Sequence, residues 1–510
     1  MSAFIILPNQ LFKDINKNDS FNDSKFIYLI EGDTYFTKYK FHKMKIILHR
    51  ASMKAYYDYL LSISNSKKTI IYIDIYDTKN VINDVFKKHK TINIYDPIDH
   101  ALLKKFNKLS KDNNSNLNIH HNLLFIETNE ELDEYYNSLK SHERYIHDNS
   151  FYKWQRTRLN ILLNKDDKPL FGKLSYDREN RKNFNISYIE PKTPPINNNK
   201  YIKDAIKYVE TNFPNNVGSI DNFIYPVTFN EAKKLLNNFI KHKLLTFGDY
   251  EDASSSEIYF GSHSLLSSSI NIGIITVSYI IKNILKVFYK LSIIEQKKII
   301  NNVEGFVRQI IGWRSYIRFI YRYHGEDMYK ENRFGHVNKL NKTWYEGTTG
   351  IHPIDLIIKK VIKYSYCHHI ERLMYLSNFM LISKIHPQEV YKWFMIYFID
   401  AYEWVMIANI NMGQYSSTSI TMMSKIYLSS SNYIKLMSNY KLNSYDMITL
   451  DKQYYWNQIW DALYYNFIND NQDELKKIYS LSRNLSHWYK KPKKQKSELL
   501  NISKLYLEHY

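Results

Sequence analysis

Two stretches put charged, imidazole and indole groups into otherwise apolar sequence: EGFVRQIIGWRSYIR at 304–318 and YCHHIERLMYLSNF at 366–379. A chain does this where a buried cavity needs polar walls. Helical periodicity lays Glu304 and Arg308 on one face, and likewise His369 and Arg372. The adjacent His368 and His369 should point about 100° apart, leaving one of them for a given cavity. Taken alone, such a pair also reads as a satisfied core histidine. Upstream, HSLLSSSINIG at 263–273 sets small hydroxyl side chains ahead of an apolar helix expected near Ile270, an arrangement that holds a phosphate at a helix N-terminus. Downstream, EVYKWFMIYFIDAYEWV at 389–405 reads as an aromatic helix carrying one acid, Asp400, a natural partner for Arg372. Aromatic stripes and Asp–Arg pairs also occur in plain cores.

These groups need a scaffold, and 510 residues give room for two or three domains with a large core. The first part alternates apolar runs with helical stretches such as 43–63. The runs are FIILP at 4–8, FIYLIEG at 26–32, TIIYIDIY at 69–76, INIYD at 92–96 and LLFIET at 123–128. That alternation predicts an α/β domain over 1–135, Rossmann-like, with a parallel sheet. Gly32 is its one glycine, so a Gly-rich dinucleotide loop is excluded. A connector over 136–225 contains the loop PKTPPINNN at 191–199. From 226 to 510 helical periodicity dominates, notably at 277–293, 295–323, 355–383 and 388–409, which predicts an all-α domain.

The formal charge of +19 suits a polyanionic partner, although 46 Tyr against 13 Gly also reflects a compositional bias toward AT-rich codons. KKPKKQK at 490–496 reads as a solvated face or tail. The opening MSAFIILPNQLF lacks a basic leader and a cleavage site, and no apolar run spans a bilayer. A soluble intracellular protein with no membrane partner is expected. The single cysteine, Cys367, excludes an internal disulfide and agrees with a reducing compartment.

In this order and spacing the blocks resemble the photolyase/cryptochrome superfamily, specifically its bacterial-type (6-4) photolyase branch. Further matches are FHKMKIILHRASMKAYYDYL at 41–60, FYKWQRTRLNILL at 151–163, KPLFGKLSYDRENRK at 168–182 and KIYLSSSNYI at 425–434. The resemblance implies a light-driven DNA lyase that uses FAD held in the helical domain and acts, as a monomer, on UV-damaged DNA wherever that DNA resides: cytoplasm, nucleus or viral replication compartment. Tyr250, His263, Ser264, Leu266 and Ser267 match residues that bind the FAD phosphates and ribityl chain. Arg372 and Asp400 match the pair beside the flavin ring. Glu304, Arg308, Trp313 and Arg314 fall in the helix that walls the cavity on the lesion side.

By the same resemblance His369 is the active-site histidine, a proton donor whose ordinary pKa of about 6.5 would let it recharge at neutral pH. His368 is secondary, and Tyr427 and Tyr433 line the lesion pocket. Trp393 is the inner residue of an electron path, with Tyr345 or its neighbour Trp344 next. His42, Lys43, Lys45, Leu48 and Ser52 match the motif near a ribityllumazine antenna pocket; a surface or core role is open for each.

Three positions depart from the branch. Phe394 stands where a path tyrosine is expected, and Met406 where a polar residue would face the flavin; a thioether accepts hydrogen bonds weakly. The four places of an iron-sulfur cluster hold Pro353, the stretch around Lys441 to Ser444, and Gln458, so neither a cluster nor another metal is expected; packing by Trp456 and Trp460 would take its place. Beside the lyase stand two other readings: a cryptochrome-like flavin photoreceptor, and a flavin-free DNA-binding protein.

Overall fold

The computed structural model describes residues 2–509 apart from 65, 141–148, 186, 195–198, 421, 423–425 and 443–446. Five short strands, β1 (Ser2–Ile6), β2 (Phe26–Ile30), β3 (Thr69–Ile73), β4 (Thr91–Tyr95) and β5 (Asn116–His120), form one sheet in the order β3-β2-β1-β4-β5, every pairing parallel. The inner strands are nearly continuous Ile, Phe and Leu because helices cover both faces. Helices α1 (Lys43–Ile63), α2 (Ile75–Lys88) and α3 (His100–Asp112) make the crossovers. This is the α/β domain the alternation predicts, with one correction: LLFIET at 123–128 is not a strand. Asn122 caps the turn, accepting from Leu124 N at 2.9 Å, and Phe125 packs edge-on against Trp404 at 4.9 Å. The apolar run docks the sheet domain onto the helices.

The described connector wraps both parts, with α4 (Asn149–Leu159) near its start and α5 (Lys200–Asn212) packed along α1. Part of PKTPPINNN lies outside the described residues. Beyond it come α6 (Ile293–Val307), a seven-residue π-helix π1 (Arg308–Arg314), α7 (Ser315–Lys330), α8 (His352–Tyr364), a second seven-residue π-helix π2 (Glu371–Ser377), α9 (Pro387–Tyr397) and α10 (Glu403–Gln414). Two expected continuous helices are broken. The 355–383 segment stops at Ser365, whose φ of 54° closes α8 and leaves 366–368 outside any helix. The 388–409 segment opens at 398–402, so Asp400 sits in a turn between α9 and α10.

The domains are stitched together by α1. His42 Nδ1 caps the helix by accepting from Met44 N at 3.1 Å, while His42 Nε2 lies 2.8 Å from Ile362 O. Gly218, at φ +89°, lets the chain pass this imidazole; a Cβ there would fall 1.9 Å from His42 Nε2. Lys45 Nζ, fully enclosed, donates to Ala401 O at 2.6 Å and Met395 O at 3.2 Å. His42 and Lys45 therefore bind the helical domain. Leu48 is core. Lys43 donates its backbone N–H to Val217 O, and Ser52 borders a cavity among tyrosines of α1 and the connector.

Candidate functional site

A cavity of about 260 Å³ opens inside the helical domain. It is walled by π1, π2, α10, the turn at Asp400 and the segment 263–271. Its polar floor is the Arg372–Asp400 pair. Arg372 donates to both carboxylate oxygens, at 2.9 and 3.1 Å, and its Nε to Cys367 O at 2.8 Å. Ser267 Oγ donates to Asp400 Oδ2 at 2.7 Å, and Asn271 Nδ2 to the Asp400 carbonyl at 2.8 Å. Burial alone would raise the Asp400 carboxyl, but Arg372 and these hydrogen bonds hold it below the usual carboxylate range. Of the residues singled out in the sequence, His263, Ser264, Leu266, Ser267, Trp313, Arg314, His369, Arg372, Asp400 and Met406 are brought together on this wall. The helix at 267–271 has only five residues and begins at Ser267, earlier than expected.

Four expected wall positions turn elsewhere. Tyr250 is stacked on Phe184 at 5.3 Å and meets Tyr188 at 5.1 Å, holding the connector. Glu304 and Arg308 do share a face, 3.4 Å apart, but that face looks toward the connector: Glu304 accepts from Tyr152 Oη and from Tyr176 N, each at 2.9 Å. The helix changes from α to π geometry at Arg308, so the cavity side passes to Gln309, Ile310, Trp313 and Arg314. His368 lies behind the wall, stacked on His263 at 4.7 Å and 3.5 Å from Glu371, which pairs with Lys360 at 2.6 Å.

His369 opens into the cavity. It is exposed there, and the surrounding protein and then the Arg372 charge push its imidazole below the ordinary histidine value. Tyr427 and Tyr433 are half-buried and lie within the field of Asp252; burial, with Asp177 and Asp252, pushes Tyr427 up to about 12. The motif KIYLSSSNYI begins at Lys425, outside the described residues.

Trp393 is fully buried and does not reach the cavity; Phe394, 5.4 Å away, stands between. Behind Trp393, Tyr397 is stacked at 4.6 Å and Tyr345 follows at 6.1 Å, half-buried. Trp393 Nε1 donates to the Trp344 carbonyl at 3.1 Å, whereas the Trp344 ring packs on Phe379. Tyr397 was not singled out, although it lies four residues beyond Trp393 on α9, the spacing that stacks side chains. Glu251 and Gln309, also on the wall, went unnoticed because neither belongs to an apolar helix face. At the departed cluster positions, Pro353 opens α8, Gln458 caps a helix by accepting from Tyr455 N at 2.8 Å, and the stretch near Lys441 falls partly outside the described residues. Trp456 and Trp460 pack edge to face at 6.3 Å beside them.

A sheet domain docked on a helical domain with an internal cavity is a fold this chain shares with solved photolyases and cryptochromes. Residues 4–225 match the deoxyribodipyrimidine photo-lyase-related protein family. A (6-4) photolyase of Agrobacterium fabrum is 34% identical over 342 residues, 66% of this chain and 65% of that protein, just under two thirds of its length. An uncharacterized protein of Acanthamoeba polyphaga mimivirus is 45% identical over 134 residues, 26% of this chain and 94% of its own. Among solved structures, a class III photolyase from Agrobacterium tumefaciens superposes with TM-score 0.56 at 13% identity over 86% of each chain. A Synechocystis cryptochrome does so with TM-score 0.54 at 12% identity over 81% of each.

Proposed function

We propose that the protein is a light-driven DNA lyase that repairs (6-4) dipyrimidine photoproducts with FAD. The observation that carries this reading is the cavity wall, where a fixed Arg372–Asp400 pair and the His369 imidazole face one cavity. FAD fits the donor set. Arg314 Nε and His263 Nε2 are buried with no hydrogen-bond partner among the described residues, and a phosphate- and carbonyl-bearing ligand would satisfy them. Ser264, Ser267 and Arg314 would hold its polar chain, with Arg372 and Asp400 beside its ring. Bound there, a reduced flavin would supply the electron of very low potential that no side chain can.

The protein's own groups then have distinct tasks. Arg372 and Asp400 set a local field without being consumed. His369 donates a proton toward the lesion, and Tyr427 and Tyr433 position it at the rim. Trp393, Tyr397 and Tyr345 conduct electrons from the surface. The basic charge holds the phosphodiester backbone, and the enzyme acts as a soluble monomer where the damaged DNA resides. Among the described residues no helix is long and apolar enough to cross a membrane.

A flavin photoreceptor without repair is the second reading, favoured by Phe394 standing between Trp393 and the cavity and by Met406 on the wall. Illuminating the FAD-loaded protein with an oligonucleotide bearing one (6-4) lesion separates the two. Restoration of the dipyrimidine in light and not in darkness is expected; flavin photochemistry without restoration establishes the photoreceptor.

A further inference from the structure

The lysine run KKPKKQK at 490–496 is not a tail. It joins two helices, α12 (Ser482–Tyr489) and α13 (Lys493–His509), that pack on α11 (Trp456–Asp470). Leu485 and Trp488 turn inward, and Trp488 stacks on Tyr465 of α11 at 5.8 Å. Two of the lysines brace this joint. Lys491 Nζ lies 4.3 Å over the Tyr465 ring, while Lys496 Nζ lies 5.1 Å over Trp488 and donates to the Tyr489 carbonyl at 3.2 Å. The opposite face of α12 is open. Arg483, His487 and Lys490 are exposed at i, i+4 and i+7, one stripe along the helix, and Tyr479 stands four residues ahead of Arg483 in the turn that leads in. Residues 478–497 carry six cations and no Asp or Glu. The flanking acids are engaged elsewhere: Asp473 with Lys476, Glu474 with Lys477 and Glu498 with Lys452. Arg483, Lys490, Lys493 and Lys494 make no ion pair with a described residue.

Two features are unfavourable in the free protein and point to an occupant. Lys493, Lys494 and Lys496 crowd the N-terminal turn of α13, where the helix dipole is itself positive, with no acid in that turn to offset them. Tyr479 is 94% exposed, more than any other large apolar side chain among the described residues. Tyr489, 46% exposed, stands at the other end of α12, roughly 15 Å away along the helix. An anion answers the first feature and a flat partner the second. A nucleic-acid strand supplies both, phosphates for the cations and bases for the rings. A duplex hides the faces of its bases, so the tyrosines favour an unpaired strand. None of these residues lines the cavity. We propose that α12 and the lysine turn form a second nucleic-acid site, separate from the cavity, that binds a single strand without regard to damage. Arg483, Lys490, Lys493 and Lys494 hold its phosphates, and Tyr479 and Tyr489 stack on its bases.

The test is binding of a fluorescent oligothymidine of about 12 nucleotides to the full chain in darkness, read by anisotropy over a range of salt. An oligouridine of the same length runs beside it, and the tighter of the two names DNA or RNA as the strand. The parent should bind with an affinity that falls steeply with salt. Lys490→Gln/Lys493→Gln/Lys494→Gln should lower the slope of log affinity against log salt by about 2, at about 0.7 for each lost phosphate contact. Tyr479→Ala should weaken binding about tenfold at unchanged slope, and Tyr479→Phe should restore it. Removing the same number of charges from α3, in Lys105→Gln/Lys108→Gln/Lys111→Gln, controls for net charge and should leave binding parental. Every substituted side chain is exposed, so parental melting midpoints check the fold. No arm uses light or a lesion, so failure here leaves the repair reading standing. Unchanged binding in the lysine-turn variant, equal loss in both triple variants, or an intact duplex that competes as well as the single strand overturns the proposal.

Discussion

Replacing Asp400 by Asn removes one charge and almost no volume. In the parent both Asp400 oxygens accept from Arg372, at 2.9 and 3.1 Å. Without that carboxylate, Arg372 keeps the Cys367 carbonyl at 2.8 Å and the faces of Phe398 and Tyr366. A stranded buried guanidinium costs about 3–5 kcal/mol. In a unit this large each kcal/mol moves the melting midpoint by roughly 2 °C, so Asp400→Asn should melt about 6–10 °C below the parent at pH 7. The Asp400 carboxyl is held below its ordinary value, so its contribution is present above the unfolded pKa and lost as pH falls through the folded one; the gap should close in acid. The double variant Arg372→Met/Asp400→Leu removes both ions and their shared desolvation, and should recover most of the loss. Neither variant should retain FAD. Thermal melts of the flavin-stripped proteins, with FAD content measured by absorbance after loading, decide the matter. An Asp400→Asn protein that melts with the parent, or a double variant that keeps its flavin, refutes the reasoning.

Burial pushes Lys45 down to about 7, far below its unfolded value, so the folded state binds fewer protons than the unfolded one above pH 7 and stability should climb toward alkaline pH. Lys45→Met should flatten that climb in a plot of melting midpoint against pH; parallel curves would count against it. Trp393→Phe should block light-driven reduction of bound FAD and Tyr397→Phe should slow it, both with FAD retained, as followed by absorbance under blue light; unchanged rates in both would move the path to Trp344. His369→Ala should abolish (6-4) repair while sparing FAD content and lesion binding, with His368→Ala milder, and parental repair by the His369 variant would return that residue to a structural role. DNA affinity should fall steeply with salt, as counterion release requires, yet favour lesion DNA, whose damaged pair is cheaper to flip out; equal binding of damaged and intact duplex contradicts repair.

The sheet was legible because parallel strands buried on both faces leave unbroken apolar runs, and LLFIET deceived for the same reason: docking a domain also takes an apolar run. The polar floor was legible too, since Arg372 and Asp400 are types that seldom enter an apolar segment unpaired. What the sequence hid was direction. Ser365 and the 398–402 turn break helices whose periodicity runs on smoothly, and the contacts that His42 and Lys45 make with the helical domain were hidden because a helix-capping histidine and an enclosed lysine look, in sequence, like any on a surface. Glu251 was invisible for a different reason. Its place on the wall is set by Asn180 and by the adjacent pair Arg308 and Gln309, all distant from it in the chain.

The two π-helices bear on how this chain can be compared with others. A π turn takes more residues per turn than an α turn, and such segments are rare and concentrated at working sites. Each is equivalent to a residue slipped into an ordinary helix without disturbing either flank, and both stand on the wall that matters most. A relative lacking that slip would present other side chains to the same space even where its letters align. Between such proteins equivalence has to be judged by which atoms meet across the cavity, and a column of identical residues can stand for different walls.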